Sequence, residues 1–421
     1  MLYKTQQIEK QKQVDQSNDN ISKLVYDLEI KTNIKSWDNL YQEVSIGNVH
    51  ISIQDSNTIC HLASQFLPQE DHLYSYKVIY ILGLISGTSD YHSSLLIKNG
   101  CVEKLVNYLD ARVDPTLFSH AINVLLNVFD SLGSIQLGNH VLDDFCRKLL
   151  FLCFEVDKYI DMMRSSLFSL FRKGISFTDF SSDESYQMYI KFRDNIFCSM
   201  CIISPIDTNS SLMAFHSLLQ KYFGLYNDII VDGTIASLIG FIDVKNDDKT
   251  ATILRIIYPL FSNSDYADAL ISNQIIKKLL DMIQIPSSIL YEKALESILL
   301  MSNVSIECCQ LLVEFQFFDS PQHFRGRFLS KELSLKILHN VIKHVSIQIN
   351  TNQESYLVPY LVEMIQSTDF STALIAFEVS IHFYNKGVNI DLNHLVNLLS
   401  DSFDSTEIIV IQGILEKNMI K

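Results

Sequence analysis

Three stretches of this chain share one design. "LLIKNGCVEKLVNYLD" ends at Asp110, "DIIVDGTIASLIGFID" at Asp243 and "DALISNQIIKKLLDMI" at Ile283. Each reads as a short apolar helix, a polar or glycine corner and a second apolar helix. Aligned on Ile97, Ile230 and Ile271, they lie about 133 and about 41 residues apart, the first gap roughly three times the second. "HISIQDSNTICHLASQFL" falls one step before the first stretch, and "CQLLVEFQFFDS" one step after the last. No tile of this size buries its apolar faces alone, so neighbouring tiles must stack.

A third, longer apolar helix follows each pair. "LYSYKVIYILGLIS", "LFSHAINVLLNVF", "YIDMMRSSLFSLFRKG", "SLMAFHSLLQKYFG", "KTATILRIIYPLF", "SILYEKALESILLMS", "KELSLKILHNVIKHV" and "STALIAFEVSIHFYNKG" are its copies. Strand alternation is weak throughout. A period near forty residues, with three helices per tile, predicts an all-α, right-handed armadillo-repeat superhelix of about eight or nine repeats. The third helices are expected to line its concave side. The repeat domain is read as 21–421, preceded by a polar tail, 1–20, that lacks apolar periodicity. Trp37 is expected in the first helical layer. "SFTDFSSDES", "SPIDTNSS", "DSPQHFRGRFLS" and "QINTNQES" read as loops between helices; the stretch 319–330, with Pro321, Gly326 and two Arg, reads as a plain insertion, with a protruding functional loop as the alternative.

Charge excludes one large class of partner. Asp and Glu number 48 against 33 Lys and Arg, for a net charge of −15. Phosphate binding needs clustered cations, and none stands out, so nucleic acid is not an expected partner. No apolar run reaches bilayer length, so no membrane association is expected. The N-terminal "MLYKTQQIEKQKQVDQ" has no apolar signal core, and the cysteines lie mostly in apolar helical segments. Reduced thiols in cytoplasm and nucleus follow as the expectation.

"SGTSDYHSSLLIKNGCVEKLVNYL" resembles the first armadillo repeat of importin-α and its passage into the second. "ATILRIIYPLFSNSDYADALI" is similar to a central repeat of that family, with Arg255 at an arginine position. The likeness spans roughly residues 20 to 400 as architecture. It implies a non-catalytic adaptor that holds a nuclear localisation signal along its third helices. There a Trp and, one turn later, an Asn face the same way. The Asn amide holds peptide backbone, while indoles make slots for Lys and Arg stems.

This chain departs from that array. The first-repeat Trp position falls on Ile79 or Tyr80, and the Asn position on Gly83 or Leu84. Asn123 and Asn127 follow, then Ser166 with Leu170, His216 with Gln220, and Arg255 with Pro259. Glu296 precedes Leu300, and Lys336 precedes Asn340. Only Asn127 and Asn340 match the asparagine. The peptide-groove candidates are therefore Asn123, Asn127, Ser166, His216, Gln220, Arg255, Glu296, Lys336 and Asn340. The expected partner is a protein or peptide cargo, with importin-β or an export receptor implied by the family. The family's basic importin-β-binding segment is not evident: only Lys4, Lys10 and Lys12 are scattered among glutamines. The competing reading is an armadillo scaffold for protein assembly unrelated to import.

No GxSxG elbow, phosphate loop, dinucleotide fingerprint or HExxH occurs, so neither enzyme activity nor a cofactor is expected. "CSMC" at Cys198–Cys201 has metal-ligand spacing but lacks a second pair, and reads as core. Cys308–Cys309 is a vicinal pair whose side chains diverge on a helix, and it too reads as core. His216 and His339 read as packed or rim histidines. Asp247–Asp248 reads as a solvated turn.

Overall fold

The computed structural model describes residues 19–46, 51–67, 72–109, 113–131, 161–175, 180–201, 205–285 and 289–419. Among them there is no strand, and most lie in helices. The polar tail therefore lies outside the described residues except for its last two, which begin helix α1 (19–30). The chain divides at Leu225–Tyr226 into two compact units.

In the first unit, α1 is followed by α2 (Ile34–Ile46), α3 (Ile53–Phe66) and α4 (His72–Ser86). Next come α5 (Asp90–Lys98), α6 (Cys101–Val106) and α7 (Pro115–Ser131), then α8 (Asp161–Gly174), α9 (Ser182–Cys201) and α10 (Pro205–Lys221). Consecutive long helices pack in a row, α2 on α4, α4 on α7, α7 on α8 and α8 on α10. Trp37 is fully buried on α2, 5.6 Å from the Phe66 ring.

The second unit repeats the scheme. It holds α11 (Leu225–Val231), α12 (Thr234–Gly240), α13 (Asp247–Ile257), α14 (Ser264–Ser272), α15 (Ile275–Ile283) and α16 (Leu290–Val304). There follow α17 (Ile306–Glu314), the short α18 (Gln322–Arg325), α19 (Phe328–His344), α20 (Thr351–Ile365), α21 (Phe370–Asn385), α22 (Leu392–Ser402) and α23 (Ser405–Met419). Its row runs α13, α16, α19, α21, α23. Both units thus have the arrangement of an α-solenoid, in which each layer buries the apolar faces of the next.

The corner between the first two helices of a tile has one backbone solution. Gly100, Gly233, Gln274 and Gln316 all sit at φ between 58° and 79°. Each stands immediately before the second helical piece, respectively α6, α12, α15 and the 3₁₀ turn Phe317–Asp319. Left-handed backbone reverses the chain there; glycine adopts it freely, glutamine at some strain.

The tiles are less uniform than a strict three-helix repeat. α9 is one uninterrupted helix of 20 residues where two short ones are expected. α20–α21 and α22–α23 are likewise two-helix layers, with α20 tolerating Pro359 in its interior. Three expected loops are largely ordered. "SPIDTNSS" is helical from Pro205, and "QINTNQES" enters α20 at Thr351 through an Asn350–Gln353 capping box. The 319–330 stretch is not wholly a surface segment: His323, Phe324 and Ser330 within it are buried, and Phe317 and Phe318 just before it are buried too. Gln322 Nε2 also donates to the Ile283 carbonyl at 3.3 Å. Asp247 and Asp248 occupy the first turn of α13, behind the Asn246 cap, where the helix dipole favours negative charge.

Candidate functional site

Every groove candidate lies on a row helix. Asn123 and Asn127 are on α7, Ser166 on α8, and His216 and Gln220 on α10; Arg255 is on α13, Glu296 on α16, and Lys336 and Asn340 on α19. Asn123, Gln220 and Arg255 are exposed, the others half-buried. Their expected partners one turn on behave differently. Leu170 is fully buried, so it belongs to the core of α8. Pro259 stands in a 3₁₀ turn beyond the end of α13.

The two alternatives for the first-repeat position on α4 differ in exposure. Ile79 is fully buried, whereas Tyr80 is half-exposed and takes the surface position. Gly83 faces Val124, with space for a Cβ 3.6 Å from it, while Leu84 is 39% exposed.

Several candidates are engaged within the chain. Glu296 accepts from Lys293 Nζ at 2.9 Å, and Lys336 pairs with Glu332 at 2.5 Å. His339 Nε2 meets Glu378 Oε2 at 2.7 Å, and that bond holds the Glu378 carboxyl below its usual range.

The two asparagines that match the family pattern share a structural role. Asn127 Nδ2 donates to Ser86 Oγ on the preceding row helix at 3.1 Å, and Asn340 Nδ2 donates to Ser302 Oγ at 2.9 Å. The surroundings repeat as well. Ser93 Oγ donates to the Ser86 carbonyl at 2.9 Å, and Cys309 Sγ to the Ser302 carbonyl at 3.4 Å, each seven residues on. Three residues after each of these serines, Ser89 and Ser305 cap α5 and α17. The Ser-x-x-Ser turn, here SGTS and SNVS, is thus a junction that ties a row helix to its successor. One donated bond leaves an Asn amide a second N–H and its carbonyl oxygen for other partners.

An aromatic surface on the row of the first unit joins α2, α4 and α7. Tyr41, Tyr76 and Tyr80 meet one another at ring-centroid distances of 5.3 to 6.3 Å. His120 stands edge-on to Tyr76 at 4.9 Å and to Tyr80 at 6.0 Å. All four are half-buried. Burial raises the Tyr76 hydroxyl, with the Tyr41 hydroxyl adding to it, and burial lowers the His120 imidazole, which keeps it neutral near pH 7. Beside the cluster, Lys77 pairs with Asp38 and lies 5.8 Å from the Tyr41 centroid and 5.2 Å from that of Tyr74. Of these residues the sequence pattern singled out Tyr80 alone. Tyr76 and Tyr80 are four apart on one helix face, a legible signal; Tyr41, Asp38 and His120 reach the site only through stacking.

Among the described residues no helix is long and apolar enough to cross a membrane. No group of three His, Cys, Asp or Glu is placed there to hold a metal ion. Cys308 and Cys309 are fully buried, and burial pushes the Cys309 thiol up to about 11. The side chains of Cys198 and Cys201 lie outside the described residues.

No protein-family model matches the chain, and no curated protein matches it. Among solved structures, a crystal structure of an engineered protein from the Northeast Structural Genomics Consortium is similar over 95% of this chain and 99% of its own, with a TM-score of 0.67 and 12% identity. At that identity the likeness shows the all-helical fold alone.

Proposed function

We propose that this chain is a non-catalytic, protein-binding adaptor of the armadillo type, similar to importin-α, which takes an extended cargo peptide across its row of third helices. The Tyr41–Tyr76–Tyr80 cluster with His120 carries this reading. Tyrosines that keep part of their rings in solvent offer large contact area at low entropic cost, and such residues dominate binding hot spots. Tyr80 is the more exposed of the two residues, Ile79 and Tyr80, at which the resemblance puts an indole, and the exposed Asn123 amide lies on the neighbouring α7. Import cargo, with importin-β or an export receptor as the onward partner, is the role the family resemblance suggests.

A second reading, an assembly scaffold unrelated to import, is favoured by the junctions at Ser86 and Ser302. There both family-matching asparagines serve repeat stacking.

Selection from a random peptide library on the immobilised chain tests the adaptor. The expected result is a short linear motif whose affinity drops about tenfold or more in Tyr80→Ala, as for a hot-spot residue. Enrichment of nothing, or of peptides indifferent to both Tyr80→Ala and Tyr41→Ala, refutes it. Capture of purified importin-β then separates import from scaffold.

A further inference from the structure

We propose that the outward turn 325–329, Arg-Gly-Arg-Phe-Leu, is a docking surface for an acidic peptide segment of a partner protein, one that sets anionic side chains beside an apolar one. The inference goes beyond the adaptor reading and does not depend on the aromatic cluster.

The turn is held at both ends. Phe324 and Ser330, on either side of it, are buried. Phe324 packs on Tyr360 at 5.0 Å and on Tyr356 at 5.9 Å. The five residues between these anchors are all exposed, Phe328 by 53% and Leu329 by 45%. Two guanidiniums and two large apolar side chains thus stand on a short segment with fixed ends, which limits the ordering cost of binding.

The two cations are left over from the chain's own pairing. In the same unit Lys293 pairs with Glu296, Lys331 with Glu363 and Lys336 with Glu332. Among the described residues neither Arg325 nor Arg327 has a carboxylate at ion-pair distance. The carboxylate of Asp319 accepts from Gln353 Nε2 and opposes Arg325 in its effect on the Tyr356 hydroxyl, so it offsets at most one of the two charges. The first turn of α19 adds no acid. A positive turn therefore stands out on a chain of net charge −15. Guanidinium forks match the paired oxygens of a carboxylate or a phosphate.

The other anionic partners fit less well. A nucleic acid or an anionic bilayer spreads its charge far beyond two arginines, and the chain's net charge repels it. A short acidic segment meets the turn alone. Exposed ion pairs contribute little by themselves, and Phe328 and Leu329 supply the apolar contact that such a pair lacks.

Fluorescence anisotropy of the full chain with fluorescein-labelled peptides tests this. The probes are a peptide alternating glutamate pairs with leucine, its counterpart with glutamine for glutamate, and its counterpart with phosphoserine for glutamate. The wild type is expected to bind the glutamate peptide about tenfold more tightly than the glutamine one. The double variant Arg325→Gln/Arg327→Gln, folded by circular dichroism, is expected to lose that preference. Phe328→Ser is expected to weaken both peptides by about threefold or more and to keep the preference. Binding confined to the phosphoserine peptide and lost in the double variant supports the surface and fixes the anion as phosphate. Equal affinity for the glutamate and glutamine peptides, a preference that persists in the double variant, or binding of none of the three overturns the inference. Cosedimentation with phosphatidylserine vesicles, abolished in the double variant and without peptide binding, assigns the turn to a lipid surface and overturns it too. The adaptor reading is decided separately, by the library selection at Tyr80 and Tyr41.

Discussion

Replacing His323 with phenylalanine should remove a defined share of the chain's sensitivity to acid. His323 is 1% exposed on α18, stacked at 4.8 Å and 5° on Phe317, with its Nδ1 3.2 Å from the Tyr291 hydroxyl. Burial lowers its imidazole from 6.5 to about 4. The same environment pushes the Tyr291 hydroxyl up to about 12, so tyrosine stays protonated and can donate to the neutral ring. With the folded value below the unfolded one, the unfolded chain binds more protons between the two. The stability that His323 contributes is therefore complete above pH 6.5 and is lost as pH falls toward 4. A gap of 6.5 − 4 = about 2.5 pH units, at about 1.4 kcal/mol each, gives a limiting loss of roughly 3 to 4 kcal/mol. Between pH 7 and pH 5 the expected loss is about 2 kcal/mol. His323→Phe keeps the stack on Phe317 and drops the Tyr291 bond, at a pH-independent cost of about 1 kcal/mol. Urea unfolding followed by circular dichroism at pH 7, 6 and 5 should show the wild type ahead at pH 7 and the variant ahead at pH 5. Carboxylates such as Glu378 and Asp369 titrate in both proteins and cancel in the comparison. Equal losses in the two proteins over this range would show that the buried ring is not the titrating element.

Two further outcomes concern the scaffold. Asn340→Ala and Asn127→Ala should each lower stability by about 1 kcal/mol, because Ser302 and Ser86 lose a bond at a row junction. Unchanged urea midpoints would return both amides to the list of candidate peptide contacts. Gly100→Ala should destabilise by roughly 1 kcal/mol, since φ is +74° and the added Cβ would meet Glu103 Oε2 at 3.0 Å. Gln316→Gly, at φ 58°, should do the opposite by a smaller amount; thermal unfolding midpoints that move the same way in both would contradict the corner assignment.

The amino-acid sequence by itself determined the tile. Its period, its row helices and the Asn-Gly and Asp-Gly corners are local properties, written in apolar spacing and in glycine's freedom at positive φ. The corners at Gln274 and Gln316 follow the same backbone but carry no glycine to announce it. What only the tertiary structure decided is which face of each row helix is open and what already occupies it. Tyr80 rather than Ile79 reaches solvent because α4 must bury one side against both α2 and α7. Asn127 and Asn340 look alike in any register, yet both are drawn to a serine about forty residues back. Lys77 likewise finds Asp38 across 39 residues of chain. Such pairs depend on how layers are set against one another, and one-dimensional spacing carries no information about a neighbour a whole repeat away.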